Sequence, residues 1–378
     1  MYIFHLGKHP DISIAELHSI LPDITIQKMK DQVAYTEDAI IPQEIQKKLG
    51  GVMMISQVIE KFSHIPGREE VISNIMKYIN SNSDTEKRIQ IGCSFEQQHL
   101  KRIAFDIKKQ LQKKNIRCRV ITGNPDINTA HIIREKLTSP NGIHTQIIED
   151  THTTYLIRTC SIHNIDAYSY RDYKKPFRDM KMGMLPPKLA QIMINLAGNE
   201  TKTLLDPFCG SGTVLIEGLL LGKHIDGSDW NQEYFEGCKK NIDWIQARYH
   251  FDYIPTLTLM DAKKVHQINK LYDAIVTEGY LGPTYSKDPS LEEQTKTFKE
   301  LKHLYEEFFK QVVMILKNNG KIIITIPIYH QTGKNISFLP IIKKIIENLP
   351  LKLSDHNYIY SRENQIVLRN IICLEKKV

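Results

Sequence analysis

The chain has 378 residues, of which 41% are hydrophobic and 25% charged, and its formal net charge is +7. This length exceeds what one hydrophobic core usually supports, so two or three domains are expected. The mildly basic balance permits a polyanionic partner without requiring one. No apolar run is long enough for a membrane span or a signal peptide. The six cysteines contain no CxxC pair, which indicates a reduced, cytoplasmic protein without a zinc site or redox dithiol.

The pattern of strands and helices changes along the chain. Residues 1–60 alternate short strands with helices and predict a small α+β unit, and residues 61–165 predict a second α/β module with a long basic helix over 97–114. Residues 166–186 contain prolines that interrupt regular structure, so this segment is predicted to be a linker. Residues 187–378 turn to a regular βα alternation, which predicts a Rossmann-like, doubly wound parallel sheet. Strands are predicted there at 203–206, 224–229, 256–260, 273–277 and 321–327, with an antiparallel edge formed by 358–360 and 366–374.

The most informative local pattern is a glycine turn at the end of the first of these strands, Asp206-Pro207-Phe208-Cys209-Gly210-Ser211-Gly212-Thr213. Its two glycines allow positive φ and close approach of a ligand to the backbone, where such sheets bind ligands. A dinucleotide fingerprint requires a third glycine where Leu215 stands, and a P-loop requires Gly-Lys-Ser/Thr, so a phosphate-binding loop is not favoured.

Acidic residues follow the next two strands of this predicted sheet. Asp229 ends the second strand, where a carboxylate accepts hydrogen bonds from a ribose diol, and Asp261 ends the third, near where an adenine amine would lie. Together with Asp206, they suit a nucleoside with a cationic sulfonium better than a pyrophosphate. The alternative is that these are ordinary turn and cap residues of an α/β sheet.

With these motifs the sequence resembles the THUMP-containing tRNA guanosine-N2 methyltransferases. The glycine turn is similar to their first cofactor motif, and Gly183-Met184-Leu185-Pro186-Pro187-Lys188-Leu189-Ala190 resembles the segment that packs over the methionine end of the cofactor. The resemblance covers about residues 60–378, and the front half matches by layout. It implies S-adenosylmethionine as the cofactor, a ferredoxin-like unit over 1–60, a THUMP RNA-binding domain over 61–165 and the methyltransferase domain over 187–378. The cofactor-binding residues that it implies are Pro187, Lys188, Asp206, Pro207, Phe208, Gly210, Gly212, Thr213, Asp229, Trp230, Asp261 and Ala262.

Cations cluster in two segments before the glycine turn. Residues 101–119 hold eight cations against the single acid Asp106, and residues 168–181 interleave cations with Tyr168, Tyr170, Tyr173 and Phe177. Cations neutralise phosphates and aromatic rings stack on bases, so both segments are interpreted as RNA-binding, although a charge run is often only a solvated helix face. The predicted RNA-binding residues are Lys101, Arg102, Lys108, Lys109, Lys113, Arg171, Lys174, Lys175 and Arg178, with Lys181 in the same segment.

The expected catalytic loop follows the fourth strand of the sheet. The family places an Asp or Asn, two prolines and an aromatic there; in this chain Glu278, Gly279 and Tyr280 occupy the loop, and the proline pair is missing. Glu278 and the Gly279 carbonyl are predicted to accept hydrogen bonds from a guanine amine, with Tyr280 stacking on a flipped-out base. Tyr280 takes that place only if the loop is one residue shorter than the family's; otherwise Leu281 occupies it. Because Gly279 replaces a stiff residue, the loop is expected to be less rigid.

The resulting prediction is a tRNA methyltransferase that transfers a methyl group from S-adenosylmethionine to the N2 amine of a guanosine. Three alternatives remain open: methylation of another RNA position, methylation of a protein amine, and an inactive tRNA-binding protein. A NAD-linked dehydrogenase is disfavoured by the missing third glycine. The protein is expected to be a monomer without membrane association, and an activating subunit is left open.

Overall fold

The computed structural model describes residues 1–123, 127–179, 184–331, 334–362 and 365–377. Two positions named above, Lys181 and Gly183, lie outside these ranges. The chain divides into two compact units, of which unit 1 comprises Met1–Ile14 and Pro22–Asn164, and unit 2 comprises Ala15–Leu21 and Ile165–Val378. Each unit is built on one mixed sheet.

Unit 1 contains a single sheet with the strand order β2-β3-β1-β4-β8-β7-β5-β6. The elements of this part of the chain are β1 (Tyr2–Leu6), α1 (Pro10–Ile20), β2 (Gln27–Lys30), β3 (Val33–Thr36), α2 (Pro42–Lys48), β4 (Val52–Phe62), α3 (Arg68–Asn82), β5 (Ile89–Ser94), α4 (Ile103–Lys113), β6 (Cys118–Ile121), α5 (Thr129–Arg134), β7 (Gly142–Glu149) and β8 (Thr154–Ile162). The second half of α1, from Ala15 onward, belongs to unit 2. β4 and β8 pair antiparallel and join the two predicted front modules within one sheet. The division at residue 60 and the assignment of a THUMP domain stay predictions.

The predicted long helix over 97–114 is wrong in its first turn. A 3-10 turn spans Gln98–Leu100, Arg102 adopts a left-handed φ of +66°, and α4 begins only at Ile103. The Arg68 guanidinium stabilises this break because it donates hydrogen bonds to the carbonyls of His99 (2.7 Å) and Lys101 (2.9 Å). Lys101 therefore does not lie on the α4 surface with Lys108 and Lys109.

Unit 2 has the predicted Rossmann-like sheet, in the order β11-β10-β9-β12-β13-β16-β15, with β14 paired to β13. β9 to β13 run parallel, and β16 and β15 form the predicted antiparallel edge. The elements are α6 (Ile165–Tyr173), α7 (Pro187–Leu196), β9 (Thr203–Asp206), α8 (Thr213–Leu220), β10 (His224–Asp229), α9 (Gln232–Gln246), β11 (Leu257–Leu259), β12 (Tyr272–Thr277), α10 (Leu291–Ile315), β13 (Leu316–Gln331), β14 (Lys334–Ser337), α11 (Leu339–Ile346), β15 (Leu351–Tyr360) and β16 (Val367–Lys376).

Strand order reverses at β9, because β10 and β11 lie on one side of it and β12 and β13 on the other. Such a switch point opens a crevice beyond the carboxyl ends of the strands, where ligands bind. A core on one face of the sheet holds β12, β13 and β16 against α10 and α11, with Tyr305, Phe308 and Phe309 fully buried. The sheet end that carries the glycine turn is thereby fixed by the packing of its central strands.

The predicted linker over 166–186 is partly helical, since α6 occupies Ile165–Tyr173. This helix was missed because its residues alternate aromatic, charged and small types and lack a clear apolar stripe. Its ordered packing places several residues of the segment inside unit 2, with consequences for the predicted RNA-binding set.

Candidate active site

The glycine turn links β9 to α8 and adopts the conformation that its glycines permit. Gly210 and Gly212 have φ of +50° and +79°, and α8 begins at Thr213. A side chain at Gly212 would also be blocked, since its Cβ would lie 2.7 Å from the Cys238 sulfur of α9. Glycine at this position thus satisfies both the left-handed turn and the close approach of α9.

Asp229 holds this turn from the end of the neighbouring strand β10. Its Oδ2 accepts a hydrogen bond from the Gly210 amide, and its Oδ1 accepts one from the Asn231 amide, both at 2.9 Å. Burial raises the pKa of the Asp229 carboxyl despite these hydrogen bonds. Each carboxylate oxygen retains acceptor capacity, which a ribose diol can use.

Asp206 ends β9, the strand at which the strand order reverses, and is 1% exposed. Its Oδ1 accepts hydrogen bonds from Thr277 Oγ1 at 2.6 Å and from the Phe208 amide at 3.1 Å. Burial, reinforced by the nearby charges of Asp229 and Glu278, raises its pKa to about 7. Asp206 is hydrogen-bonded to Thr277, next to Glu278, and Asp229 to Gly210 in the turn after β9, so β9, β10 and β12 bring these carboxyl groups to one end of the sheet.

Asp261 follows β11 and caps the 3-10 turn Ala262–Ile268, where its Oδ1 accepts a hydrogen bond from the Lys263 amide at 2.9 Å. Ala262 is buried, whereas Trp230, directly after Asp229, is 72% exposed. The Asp229 carbonyl accepts from the Met260 amide at 2.9 Å, so the ends of β10 and β11 stay together. An acid and an exposed indole at these ends offer a hydrogen-bond acceptor and a stacking surface for a base.

The remaining predicted cofactor residues surround the same sheet end. Pro187 is buried at the start of α7, and the half-buried Lys188 places its ammonium 5.2 Å from the Tyr168 ring centroid. Burial lowers the pKa of Lys188. Pro207 is buried, and the Phe208 ring packs edge-on against Phe308 at 5.2 Å between centroids. The contact between Phe208 and Phe308 packs the glycine turn against the core of unit 2.

Glu278 follows β12 at the same sheet end and is paired with Arg369 of β16. The Arg369 Nε donates a hydrogen bond to Glu278 Oε1 at 2.5 Å. Arg369 is 5% exposed, and the Glu278 side chain retains 22% exposure. The predicted acceptor therefore lies in the crevice with one carboxylate oxygen held by a buried guanidinium.

Two tyrosine hydroxyls bind the main chain of the loop after Glu278, contacts that the expectation drawn from Gly279 did not include. Tyr305 donates to the Tyr280 carbonyl at 2.9 Å, and Tyr329 donates to the Leu281 carbonyl at 2.6 Å. A Cβ at Gly279 would lie 2.3 Å from the Tyr305 hydroxyl. Glycine here provides room for the tyrosine that holds the loop, and the Tyr280 ring remains 40% exposed for stacking.

Part of the predicted RNA-binding set is buried inside unit 2. Arg171 donates to both carboxylate oxygens of Glu217, at 2.6 and 3.0 Å, and Lys175 donates to Ser211 Oγ at 3.1 Å and Thr213 Oγ1 at 2.8 Å. Burial lowers the pKa of Lys175 to about 8. Assigning Arg171 and Lys175 to an exposed phosphate-binding surface is therefore wrong, because both stabilise the interior around the glycine turn.

The aromatic residues of that segment also pack largely inside unit 2. Tyr170 stacks on Trp244 at 4.8 Å between ring centroids, and Phe177 packs edge-on against Tyr234 at 5.8 Å. Tyr173 is 60% exposed. The segment retains the exposed Lys174 and the half-buried Arg178, and in unit 1 the exposed predicted cations are Lys101, Arg102, Lys109 and Lys113, with Lys108 half-buried.

The sequence did not predict the residues that hold the site through contacts between distant parts of the chain. Lys175 and Asn241 anchor the glycine turn, since the Asn241 amide donates to the Ser211 carbonyl at 2.8 Å. Arg369 lies 91 residues beyond Glu278, so only the pairing of β13 with β16 brings it near. No local motif marks either contact.

The comparisons with known proteins find similarity to methyltransferases. Residues 171–354 match a family model described as an RMKL-like methyltransferase domain, and residues 77–240 match one described as a DNA methylase. A protein named tRNA (guanine(10)-N2)-dimethyltransferase from Methanothermobacter thermautotrophicus is 30% identical over 160 residues, which cover 42% of this chain and 43% of that protein. This match thus spans less than half of the relative's length. A protein of the same name from Methanocaldococcus jannaschii is 26% identical over 342 residues, covering 85% of this chain and 89% of that protein.

A solved structure extends the likeness at the level of fold. TrmN from Thermus thermophilus aligns over 100% of both chains with a TM-score of 0.54 and 15% identity. The doubly wound sheet and its glycine turn have the Rossmann-like methyltransferase fold, and residues 171–354 match a methyltransferase domain model. Within that class, the chain is similar to proteins named tRNA (guanine(10)-N2)-dimethyltransferase.

Proposed function

We propose that this protein transfers methyl groups from S-adenosylmethionine to the exocyclic N2 amine of a guanosine in tRNA. The observation that carries this proposal is the convergence of Asp206, Asp229 and Glu278 around one glycine turn. Two relatives named for guanine 10 make that nucleotide the first candidate. The protein is proposed to act in the cytoplasm as a monomer.

The residues around the turn fit a sulfonium nucleoside. Asp206 and Asp229 are carboxyl groups, which repel a phosphate and attract a cation. In the proposed arrangement, Asp229 binds the ribose hydroxyls, Asp261 accepts from the adenine amine and Trp230 covers the base. When bound, the cofactor supplies an electrophilic methyl group.

The proposed acceptor pocket lies beside Glu278. This carboxylate accepts a hydrogen bond from the guanine amine and receives the proton that the nitrogen loses as its new C–N bond forms. A second acceptor is the Gly279 carbonyl. The exposed Tyr280 ring stacks on the flipped-out base, and the Tyr305 hydrogen bond to the Tyr280 carbonyl holds the loop that carries this ring. A rigid loop favours the reaction because the amine and methyl group must meet in one orientation.

The tRNA is proposed to contact the cations of α4 and the preceding turn in unit 1, together with Lys174 and Arg178. The α4 cations project from a helix whose opposite face is buried through Ile103, Ile107 and Leu111. Contacts of this kind bind the phosphate backbone and depend little on sequence. Recognition would therefore rest on the shape of the tRNA and on the pocket that reads the flipped guanine.

Radiolabelled methyl transfer to tRNA transcripts tests this function. A transcript with guanosine at position 10 is compared with one that carries inosine there, because inosine lacks only the exocyclic amine. We expect label in the guanosine transcript and none in its inosine counterpart. Equal labelling of both transcripts would contradict methylation at that amine, and no labelling of either would favour a tRNA-binding protein without this activity.

A further inference from the structure

The Arg369–Glu278 pair is a buried link between the last strand of the sheet and the predicted catalytic loop. The guanidinium Nε donates to Oε1 at 2.5 Å, and Arg369 is 5% exposed. Glu278 Oε2 has no hydrogen-bond partner among the residues that the structure describes. Burying a guanidinium costs free energy unless it is paired with an acid. The placement of the buried Arg369 beside the partly exposed Glu278 carboxylate therefore favours a functional role for this ion pair.

A third polar group lies on the strand between these two residues. Thr277 of β12 is opposite Ile324 of β13, and Arg369 of β16 is opposite Pro327, which places Thr325 between Glu278 and Arg369 in the sheet. Thr325 is fully buried, and its hydroxyl has no hydrogen-bond partner within the described ranges. A buried hydroxyl without a partner in the protein calls for a bound water or a ligand.

We propose that Arg369 is a positioning residue, which holds Oε1 of Glu278 so that Oε2 meets the amine of the acceptor base. The Thr325 hydroxyl completes the polar wall behind this carboxylate. This inference rests on the proposed function, because it assigns Glu278 the role of amine acceptor. The inference also makes β16, a strand of the antiparallel edge of the sheet, necessary for the reaction, because β16 carries Arg369.

Arg369 has this role because the tyrosine contacts at Tyr280 and Leu281 hold the main chain of the loop and do not reach the Glu278 side chain. Tyr305 and Tyr329 bind the carbonyls of Tyr280 and Leu281 and leave the Glu278 side chain free to rotate. Without the guanidinium, the carboxylate would sample several rotamers on a fixed loop. Misplacement of a catalytic group by about 1 Å lowers the rate by roughly a hundredfold.

The test measures methyl transfer by R369M and R369K, with cofactor affinity measured separately by calorimetry. We expect R369M to lower kcat by roughly tenfold to a hundredfold while KM for tRNA and the cofactor Kd stay within about twofold. R369K should recover part of the rate because it keeps a cation, although it lacks the guanidinium fork. The lysine variant also keeps the test decisive if R369M folds poorly, which thermal denaturation would reveal.

A control removes a more exposed ion pair that joins β12 to the neighbouring strand β13 of the same sheet. Lys317 of β13 pairs with Asp273 of β12 at 2.7 Å, at the opposite end of those strands from the glycine turn. K317M should keep the parental rate. If K317M and R369M lose activity equally, the effect reflects sheet stability, and the positioning role is overturned.

A double-mutant cycle with E278Q separates this inference from the proposed function. If Arg369 acts through Glu278, adding R369M to E278Q should cost little beyond E278Q alone. Losses that multiply, or parental rates in both Arg369 variants with a slow E278Q, would overturn the positioning role alone. A parental rate in E278Q would instead overturn the catalytic assignment on which the inference rests.

Discussion

The Asp229 carboxylate accepts a hydrogen bond from the Gly210 amide at 2.9 Å, so that the end of β10 holds the glycine turn after β9. We expect D229A to weaken S-adenosylmethionine binding by about 2 kcal/mol, roughly thirtyfold in Kd, because the ribose loses its acceptors. Calorimetry measures this change. D252A removes an exposed carboxylate of the same unit and should bind like the parent; unchanged binding by D229A would remove Asp229 from the site.

Cofactor affinity should depend on pH through Asp206, whose pKa burial raises from 3.8 to about 7. The ionised carboxylate attracts a cationic ligand and the protonated form does not, so binding should weaken as the pH falls through about 7. Calorimetry between about pH 6 and about pH 8 should show this slope in the parent and a flatter profile in D206N.

The stability of the ligand-free protein provides an independent check on Asp206. Its folded-state pKa lies above the unfolded value, so between about pH 4 and about pH 7 the folded state binds more protons. The contribution of Asp206 therefore favours folding at low pH and is lost as the pH rises through about 7. Relative to D206N, the parent should lose about a few kcal/mol of unfolding free energy across that window. A constant difference between the two proteins would contradict the raised pKa.

Gly279 should resist substitution because its Cβ position is occupied. In G279A the methyl group would lie 2.3 Å from the Tyr305 hydroxyl and 3.0 Å from the Thr325 carbonyl. We expect a loss of about 1–3 kcal/mol in unfolding free energy, measured by urea denaturation. Y305F removes the obstructing hydroxyl, so G279A should cost less in the Y305F background. The same cost in both backgrounds would show that Tyr305 is not the obstacle.

Binding of tRNA should weaken steeply with salt if the unit 1 cations contact phosphates. Engagement of about five phosphates gives a slope of roughly −4 for log affinity against log salt. K108E/K109E should lower affinity and flatten the slope, whereas K47E, on α2, should have little effect. Filter binding across a salt series measures both. A slope near zero in the parent would rule out this phosphate-binding surface.

The sequence predicted strands better than it predicted which charges are available. β9 and β10 begin and end where expected because short apolar runs end in the acids Asp206 and Asp229. The fates of Arg171 and Lys175 depend on Glu217, Ser211 and Thr213, which are 36 to 46 residues away along the chain. A run of cations does not reveal which of its members find such buried partners.

The same limit applied to the catalytic loop and the basic helix. The position of the catalytic loop after β12 followed from the βα alternation. The hydrogen bonds that hold its main chain come from Tyr305 and Tyr329, which lie in other elements. The helix break at Arg102 depends on carbonyl contacts from Arg68, more than thirty residues earlier. Tertiary contacts of this kind override local propensity, which is all that a periodic pattern reports.

The central claim is methylation of a guanine amine in tRNA, and nucleoside mass spectrometry tests it most directly. An unmodified tRNA is incubated with the protein and S-adenosylmethionine carrying a deuterated methyl group, then digested to nucleosides. The account predicts deuterium-labelled N2-methylguanosine or N2,N2-dimethylguanosine, strongly reduced with E278Q. Label in any other nucleoside, or no labelled nucleoside from a protein that binds both cofactor and tRNA, would contradict it.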